Sequence, residues 1–519
     1  MNREDLLNRL REHDNAWDFI VIGGGATGVG IAIDAAARGY DVLLLEQSDF
    51  GKGTSSRSTK LIHGGVRYLQ QGNVPLVMEA LKERGILRTN APHLVHDLPF
   101  VVPNYLWWEA PFYGIGMRVY DALAGKYGFG PSRNLSIEET VARIPTIETE
   151  GLRGGVIYHD GQFDDARLLV HMTLTAVEQG ALLLNYVRVT GLEKNADGYV
   201  IGVHASDAET GETFLAHART VINATGVFSD TIRRLDDPAA KPVIRPSQGV
   251  HLVLDRTFLP GDAAIMVPHT DDGRVLFAIP WHERVLIGTT DTPVRGVALE
   301  PRALDAEVDF ILSHAVRYLT KDPSRADVLS VFAGLRPLVA GDGTDTAALS
   351  REHTILVANS GLLTIAGGKW TTYRRMAEDT VDHAATLAGL EPRECLTRQL
   401  NIHGFHPNAR RFGPLAQYGS DAPELERLIA AEPALGNLVH PELRVFAGQV
   451  AWSVRREAAR TVDDVLARRT RAILFNARAA AEAAPRVAAI MARELGRDST
   501  WERMQAETFQ EIAARYIPA

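Results

Sequence analysis

The sequence predicts an α/β protein: a dinucleotide-binding domain on a parallel sheet, an inserted antiparallel-sheet domain and a C-terminal helical domain. Three observations lead there. A glycine-rich strand–turn–helix–strand unit occupies residues 18–46. From Lys241 to Thr292 strand patterns follow one another without intervening helices. From Pro392 onward the chain is alanine-rich with helical periodicity.

The first unit reads DFIVIGGGATGVGIAIDAAARGYDVLLLE. Phe19–Ile22 is a short branched apolar run that suits a buried parallel strand. Gly23, Gly25 and Gly28 form GxGxxG, a small-residue helix follows to Ala37, and Val42–Leu45 is a second strand ending on Glu46. This is the Rossmann-like dinucleotide fingerprint in its required context. Gly23 permits the tight turn, Gly25 lets backbone approach a pyrophosphate, and Gly28 lets helix pack on strand. The helix N-terminus offers N–H groups and partial positive charge to phosphates. Glu46 is placed to accept ribose hydroxyls. The unit alone does not choose between FAD and NAD.

Totals bound the rest. At 519 residues two or three domains are expected. Hydrophobic residues at 45% and charged residues at 23% are ordinary for a globular chain. A net charge of −9 argues against nucleic acid as a partner. One cysteine, Cys395, allows no internal disulfide and no cysteine-based metal cluster, so no metal is expected and a reducing compartment fits. The charged N-terminus lacks the apolar core of a signal peptide, and no stretch reaches the ~18 apolar residues of a membrane span. The expected location is cytoplasmic, with any membrane contact peripheral.

Residues 3–13 suit a short helix with Leu6, Leu7 and Leu10 on one side. Gly51–Gln70 is crowded with glycines and hydroxyls, then carries Arg57, Lys60, His63 and Arg67. Such polar backbone is costly to bury unless it wraps a ligand. It follows the ribose-binding acid directly, so it is expected to run under the rest of the dinucleotide. Residues 98–130 hold Tyr105, Trp107, Trp108, Phe112, Tyr113 and Tyr120, which suit a core or a lipid or quinone contact. Asp164 or Asp165 is expected to cap a helix, Leu182–Val189 to form one strand, and Thr220–Ala224 to deliver Thr225-Gly226 to the dinucleotide. Trp281-His282-Glu283 is a hairpin turn. Strands at 354–358 and 362–366 return to the nucleotide domain and lead into Gly367-Gly368-Lys369 and a helix. The expected division is a dinucleotide domain of residues 1–100, 151–238 and 352–388, a substrate domain of 101–150 and 239–351, and a helical domain of 389–519. The arginines at 444, 455, 456, 460, 468, 469, 471 and 478 suit a salt-bridged face, the acidic body of the protein or anionic lipid.

The run TSSRSTKLIHGGVRYLQ resembles the signature of the flavin-dependent glycerol-3-phosphate dehydrogenases, within the wider D-amino-acid oxidase-like FAD oxidoreductases. NAPHLV at 90–95, DDARLL at 164–169, NATG at 223–226, IPWHERVLIGTTDT at 279–292, GLRPL at 334–338 and GGKWTTYRRMAE at 367–378 agree. TVDDVLARRTR at 461–471 resembles the signature of that family's C-terminal domain. The resemblance implies FAD, which also suits three glycine-marked strand ends at Gly23–Gly28, Thr225–Gly226 and Gly367–Gly368. Cofactor-lining candidates are Gly23, Gly25, Gly28, Glu46, Thr54, Ser55, Ser56, Ser58, Lys60, His63, Gly64, Thr225, Gly226, Gly367, Gly368 and Lys369.

The same resemblance implies oxidation of sn-glycerol 3-phosphate to dihydroxyacetone phosphate, with hydride passing to flavin N5. It assigns Arg336 and Arg351 to the phosphate, Arg67, Tyr68 and His251 to the substrate pocket, and Lys369 to the catalytic site. His251 is ranked first as base on the ground that it titrates near neutrality, with Lys369 behind it. Quinone is the preferred electron acceptor and oxygen the alternative. A homodimer is compatible with the chain. Two rival readings stand: a same-fold enzyme acting on a D-amino acid or 2-hydroxy acid, and a non-catalytic dinucleotide-binding scaffold.

Overall fold

The computed structural model describes residues 1–70, 72–268, 270–271, 273–339 and 353–518, with the side chains of Arg67 and Gln70 outside that description. Two sheets and a helical C-terminal layer make up the molecule.

The first sheet has eight strands. Its centre is Trp17–Ile22, paired in parallel with Val42–Leu45 on one side and with Thr213–Asn223 on the other. Leu182–Leu184 extends it beyond Val42–Leu45, and Leu363–Gly367 and then His353–Val357 extend it beyond Thr213–Asn223. The central strand is buried on both faces because helices cover one side and a ribbon with the N-terminal helix covers the other. On the first side, Ala26–Ala37 packs with Asp165–Glu178 and Tyr373–Leu387. The helix Arg3–Arg11 buries Leu6, Leu7 and Leu10 against the second side, so its apolar stripe belongs to the core.

The expected strand Leu182–Val189 is two strands, Leu182–Leu184 and Val187–Lys194. The break falls at Asn185-Tyr186, where Tyr186 adopts φ +58°. Side chains there reach the C-terminal region: Asn185 donates to the Ala458 carbonyl at 2.9 Å and Tyr186 Oη to Asp464 at 2.6 Å.

The second sheet has ten strands. Its longest ladder joins Ile244–Asp255 to Ser330–Val339, with Ser247 opposite Arg336, Gly249 opposite Gly334 and His251 opposite Phe332. The hairpin at Trp281–Arg284 turns through His282 and Glu283, both at positive φ, as a two-residue loop of the I′ type requires. Leu61–Ile62, Val95–Pro103 and Gly155–Phe163 also pair in this sheet. The segments 1–100 and 151–238 therefore feed both sheets rather than the dinucleotide sheet alone. Strand partnership over such separations is set by tertiary packing, which local periodicity does not carry.

The C-terminal region packs the helices Ala447–Glu457, Ala477–Leu495 and Ser499–Ala514 on the second sheet through one continuous apolar core. The arginines at 455, 456, 460, 468, 469 and 471 are not a free cationic face. Arg468, Arg469 and Arg471 are buried against Asp49, Asp463, Asp464 and Asp165. Arg455, Arg456 and Arg460 pair with Glu494, Glu424 and Glu209. No helix among the described residues is long and apolar enough to cross a membrane.

Candidate active site

The turn after Trp17–Ile22 is shaped by two close approaches. Gly23 sits at φ +109°, and a Cβ there would lie 2.8 Å from the Ala224 carbonyl oxygen. A Cβ on Gly28 would lie 1.9 Å from the Gly23 carbonyl oxygen, so helix and turn meet only because Gly28 has no side chain. Gly25 caps the helix without a side chain, and the Ala26 N–H donates to Ser55 Oγ at 2.9 Å.

These residues open onto a groove of about 650 Å³. Gly23, Gly25, Glu46, Thr54, Ser55, Thr225, Gly226, Gly367, Gly368 and Lys369 all line it. Glu46 accepts the N–H of Gly24 at 2.7 Å and of Ser48 at 2.8 Å, which fixes its carboxylate at the strand end. Burial raises its pKa above the usual carboxylate range, against the pull of those two N–H groups. The groove fits an extended dinucleotide: a bare helix N-terminus, a fixed acid one strand away and two further glycine-marked backbone approaches lie along one channel.

A smaller cavity of about 210 Å³ adjoins the groove, and Thr54, Pro337, Gly367, Gly368, Lys369 and Trp370 line both. It gathers Ser58, His63, Tyr68, His251 and Arg336. Arg336 donates to Thr289 Oγ1 at 3.1 Å and the Thr290 carbonyl at 3.0 Å, with Asp291 at 3.3 Å. A Cβ on Gly249 would lie 2.4 Å from the Arg336 guanidinium, so that glycine clears its path. Lys369 Nζ stands 3.9 Å from the centre of the Tyr68 ring, a cation–π contact.

His251 Nε2 lies 2.9 Å from Thr59 Oγ1, and its ring stacks on Phe332 at 4.9 Å. Burial, then the charges of Lys60 and Arg336, hold its pKa well below 6.5. The expectation that it titrates near neutrality is thus corrected: this imidazole is neutral at physiological pH.

Four cofactor candidates line neither cavity. Gly28 serves helix packing. Ser56 donates to the Gly51 carbonyl at 2.7 Å, and the Gly64 N–H donates to Tyr120 Oη at 2.8 Å. Lys60 is fully buried, donating to Asp165 at 2.7 Å and the Ser56 carbonyl at 3.0 Å, and burial draws its pKa down to about 8. These groups satisfy one another and hold the loop. Ser58 lines the substrate-side cavity and donates to Asp165 at 2.7 Å. Arg351 and the Arg67 side chain lie outside the described residues.

Sequence reasoning missed Thr59, Asp291, Asp165 and Trp370. Trp370 is the one with a local signal: it follows Gly367-Gly368-Lys369 directly, and its Nε1 donates to the Ser55 carbonyl at 2.9 Å. Thr59 and Asp291 act through partners far away in sequence.

The FAD dependent oxidoreductase family matches residues 18–374, and the C-terminal domain of alpha-glycerophosphate oxidase matches residues 363–502. A probable mitochondrial glycerol-3-phosphate dehydrogenase of Caenorhabditis elegans is 42% identical, over 97% of this chain and 74% of its own. The mitochondrial glycerol-3-phosphate dehydrogenase of Mus musculus is 39% identical, over 99% and 75%. The glycerol-3-phosphate dehydrogenase of Bacillus halodurans, solved with FAD, superposes with a TM-score of 0.80 at 30% identity, covering 99% of this chain and 98% of that one.

Proposed function

This chain belongs to the FAD-dependent glycerol-3-phosphate dehydrogenase family, and from that premise we propose that it oxidises sn-glycerol 3-phosphate to dihydroxyacetone phosphate and passes the electrons to quinone. The observation that carries the reading is the cavity holding Arg336, His251, Lys369 and Tyr68 where it opens into the dinucleotide groove.

Gly23, Gly25, Glu46, Ser55, Thr225 and Gly367-Gly368 would hold FAD, which would supply at N5 the acceptor for a hydride from the carbinol carbon while the hydroxyl proton passes to His251. Arg336 binds the substrate phosphate, its fork oriented by Thr289, Thr290 and Asp291. Arg351 is proposed beside it from the family pattern, as is Arg67 for the pocket. Neutral His251 accepts the hydrogen bond of the carbinol hydroxyl, oriented by Thr59 and Phe332. Lys369 adds positive charge at the junction of the two cavities.

For the acceptor, the support is a helix with two faces. Glu109–Ala124 turns Tyr120 inward to the Gly64 N–H, beside His63 of the substrate cavity. On its outer side Ile115 is 65% and Phe112 52% exposed, and Trp107 in the turn before it is 78% exposed, an apolar surface suited to lipid headgroups and a quinone. Vesicle co-sedimentation and quinone reduction should both fall in a Trp107→Glu/Ile115→Glu variant while dye-linked turnover stays. Oxygen consumption equal to substrate turnover, with no added acceptor, would remove quinone from the proposal.

The test of the main reading is an anaerobic absorbance spectrum. The flavin band near ~450 nm should bleach with sn-glycerol 3-phosphate and persist with D-alanine or lactate. Bleaching by either of the latter alone would move the substrate to a carboxylate.

A further inference from the structure

A third cavity, a cleft of about 960 Å³, shares no lining residue with the groove or the substrate cavity. Three segments meet in it: the helix Val74–Asn90 with the start of the next strand, the loop at 126–129, and the stretch 405–416 of the C-terminal region. Each contributes one exposed cation, Arg88, Lys126 and Arg410. None of the three has a carboxylate partner among the described residues. The acid in the lining, Asp97, is engaged by His159 Nδ1 at 3.1 Å.

The inner wall holds a buried, unpartnered ring nitrogen. Arg167 Nε, which can only donate, points at His171 Nε2 at 3.1 Å, so that nitrogen is the acceptor. The proton of neutral His171 is then on Nδ1, which donates to the His403 carbonyl at 2.7 Å and faces His93 Nε2 at 3.0 Å. His93 Nε2 therefore faces both His171 and the His403 carbonyl, and its other ring nitrogen, Nδ1, is left over. His93 Nδ1 has no partner among the described residues, though His93 is only 2% exposed and lines the cleft. A buried polar nitrogen without a partner is costly, which favours a polar ligand beside it.

We propose that this cleft is a second anion site, taking the dianionic phosphate of a small organic phosphate. Three cations from three segments match a group with three terminal oxygens. His93 Nδ1 adds a neutral, unpartnered nitrogen at depth. Phe129, which already stacks with Arg88 at 4.5 Å, offers a wall to the organic part. Because one cation comes from the C-terminal region and one from the helix Val74–Asn90, the ligand ties these two bodies together.

The test is calorimetric titration of inorganic phosphate into the FAD-loaded protein in three forms. Arg336→Ala weakens the substrate site and should leave one phosphate site. Arg88→Ala/Arg410→Ala should weaken that remaining site at least tenfold while KM for sn-glycerol 3-phosphate is unchanged; both residues are exposed, and an unchanged melting temperature without phosphate confirms the fold. Phosphate should raise the melting temperature of the Arg336→Ala protein and not of the triple variant. Loss of all phosphate binding in Arg336→Ala, or affinity unaltered in the Arg88→Ala/Arg410→Ala protein, overturns the proposal. Each result is independent of whether sn-glycerol 3-phosphate bleaches the flavin.

Discussion

The Nε2 of His251 and the Oγ1 of Thr59 lie 2.9 Å apart inside a cavity wall, with the His251 ring stacked on Phe332. A threonine hydroxyl can donate or accept, so it accommodates either tautomer of a neutral ring. The pair orients the imidazole without charging it. That arrangement separates two roles that sequence reasoning joined, namely facing the substrate and titrating near neutrality.

The pH dependence follows. With its pKa held well below 6.5, His251 is unprotonated at neutral and alkaline pH. The rate of flavin reduction, measured by stopped flow from pH 5.5 to 9, should show no limb assignable to His251. Thr59→Val should slow reduction by about tenfold or more, since it leaves a buried ring nitrogen unpaired at a cost of about 1–3 kcal/mol. A limb near pH 6.5 that disappears in His251→Gln would contradict this.

Arg336 is pre-oriented by three oxygen partners, so replacing it removes a placed guanidinium rather than a mobile one. Arg336→Ala should lower kcat/KM for sn-glycerol 3-phosphate by about 3 kcal/mol, roughly a hundredfold or more. Arg336→Lys should recover only part, because an ammonium cannot reproduce the fork. Steady-state kinetics with a dye acceptor checks both. Equal activity of the alanine variant would move the phosphate elsewhere.

The groove is also clamped from outside. Asp49, three residues past Glu46, is buried and takes the guanidiniums of both Arg468 and Arg469. Burial opposes its ionisation, but Arg469 and Arg468 prevail and hold its pKa below the usual range. Asp49→Asn leaves two buried cations undercompensated and should destabilise by about 3–5 kcal/mol. FAD should dissociate at lower urea than in the parent protein, followed by flavin fluorescence. The combined Asp49→Asn/Arg469→Met loss should be smaller than the sum of the single losses.

Gly23, Gly28 and Glu46 were legible because their roles are local: each is fixed by the turn, helix and strand that adjoin it. Lys60, Ser56 and Gly64 belong to the same donor-rich run yet face away from both cavities. What decides this is Asp165 and Tyr120, residues far along the chain that meet the loop only after folding. The arginines at 468, 469 and 471 were open between lipid, solvent and protein for the same reason: charge pattern gives density, and burial gives direction. Strand boundaries were read well where apolar runs end in glycine, as at Gly367. They failed where Tyr186 takes positive φ to reach Asp464. Sheet partnership for Val95–Pro103 and Gly155–Phe163 required the assembled fold.

Stability in acid is set by the buried histidines near the C-terminal interface. Burial, with Arg167 second, lowers the pKa of His93 to about 3. Burial and Arg410 lower that of His96 to about 4. His171 lies well below 6.5 for the same leading reason. A depressed histidine pKa means that between about pH 6.5 and the folded value the unfolded chain binds a proton the native protein does not. Stability from these groups is therefore complete above about pH 6.5 and is lost as pH falls, by about 1.4 kcal/mol per pH unit for each. For His93 the whole window is on the order of 5 kcal/mol. His403 has the opposite sign: burial lowers its pKa, but Asp421 and Glu178 outweigh that and raise it, so its contribution is present in acid and lost above its folded pKa. Among the histidines, one of that sign stands against four of the other, His251 included. Unfolding free energy from urea titrations should therefore decline steadily from pH 7 to pH 5, and the decline should be shallower in His93→Gln by about 1.4 kcal/mol per unit. An identical slope in parent and variant would show that the pKa of His93 is not depressed in the native state.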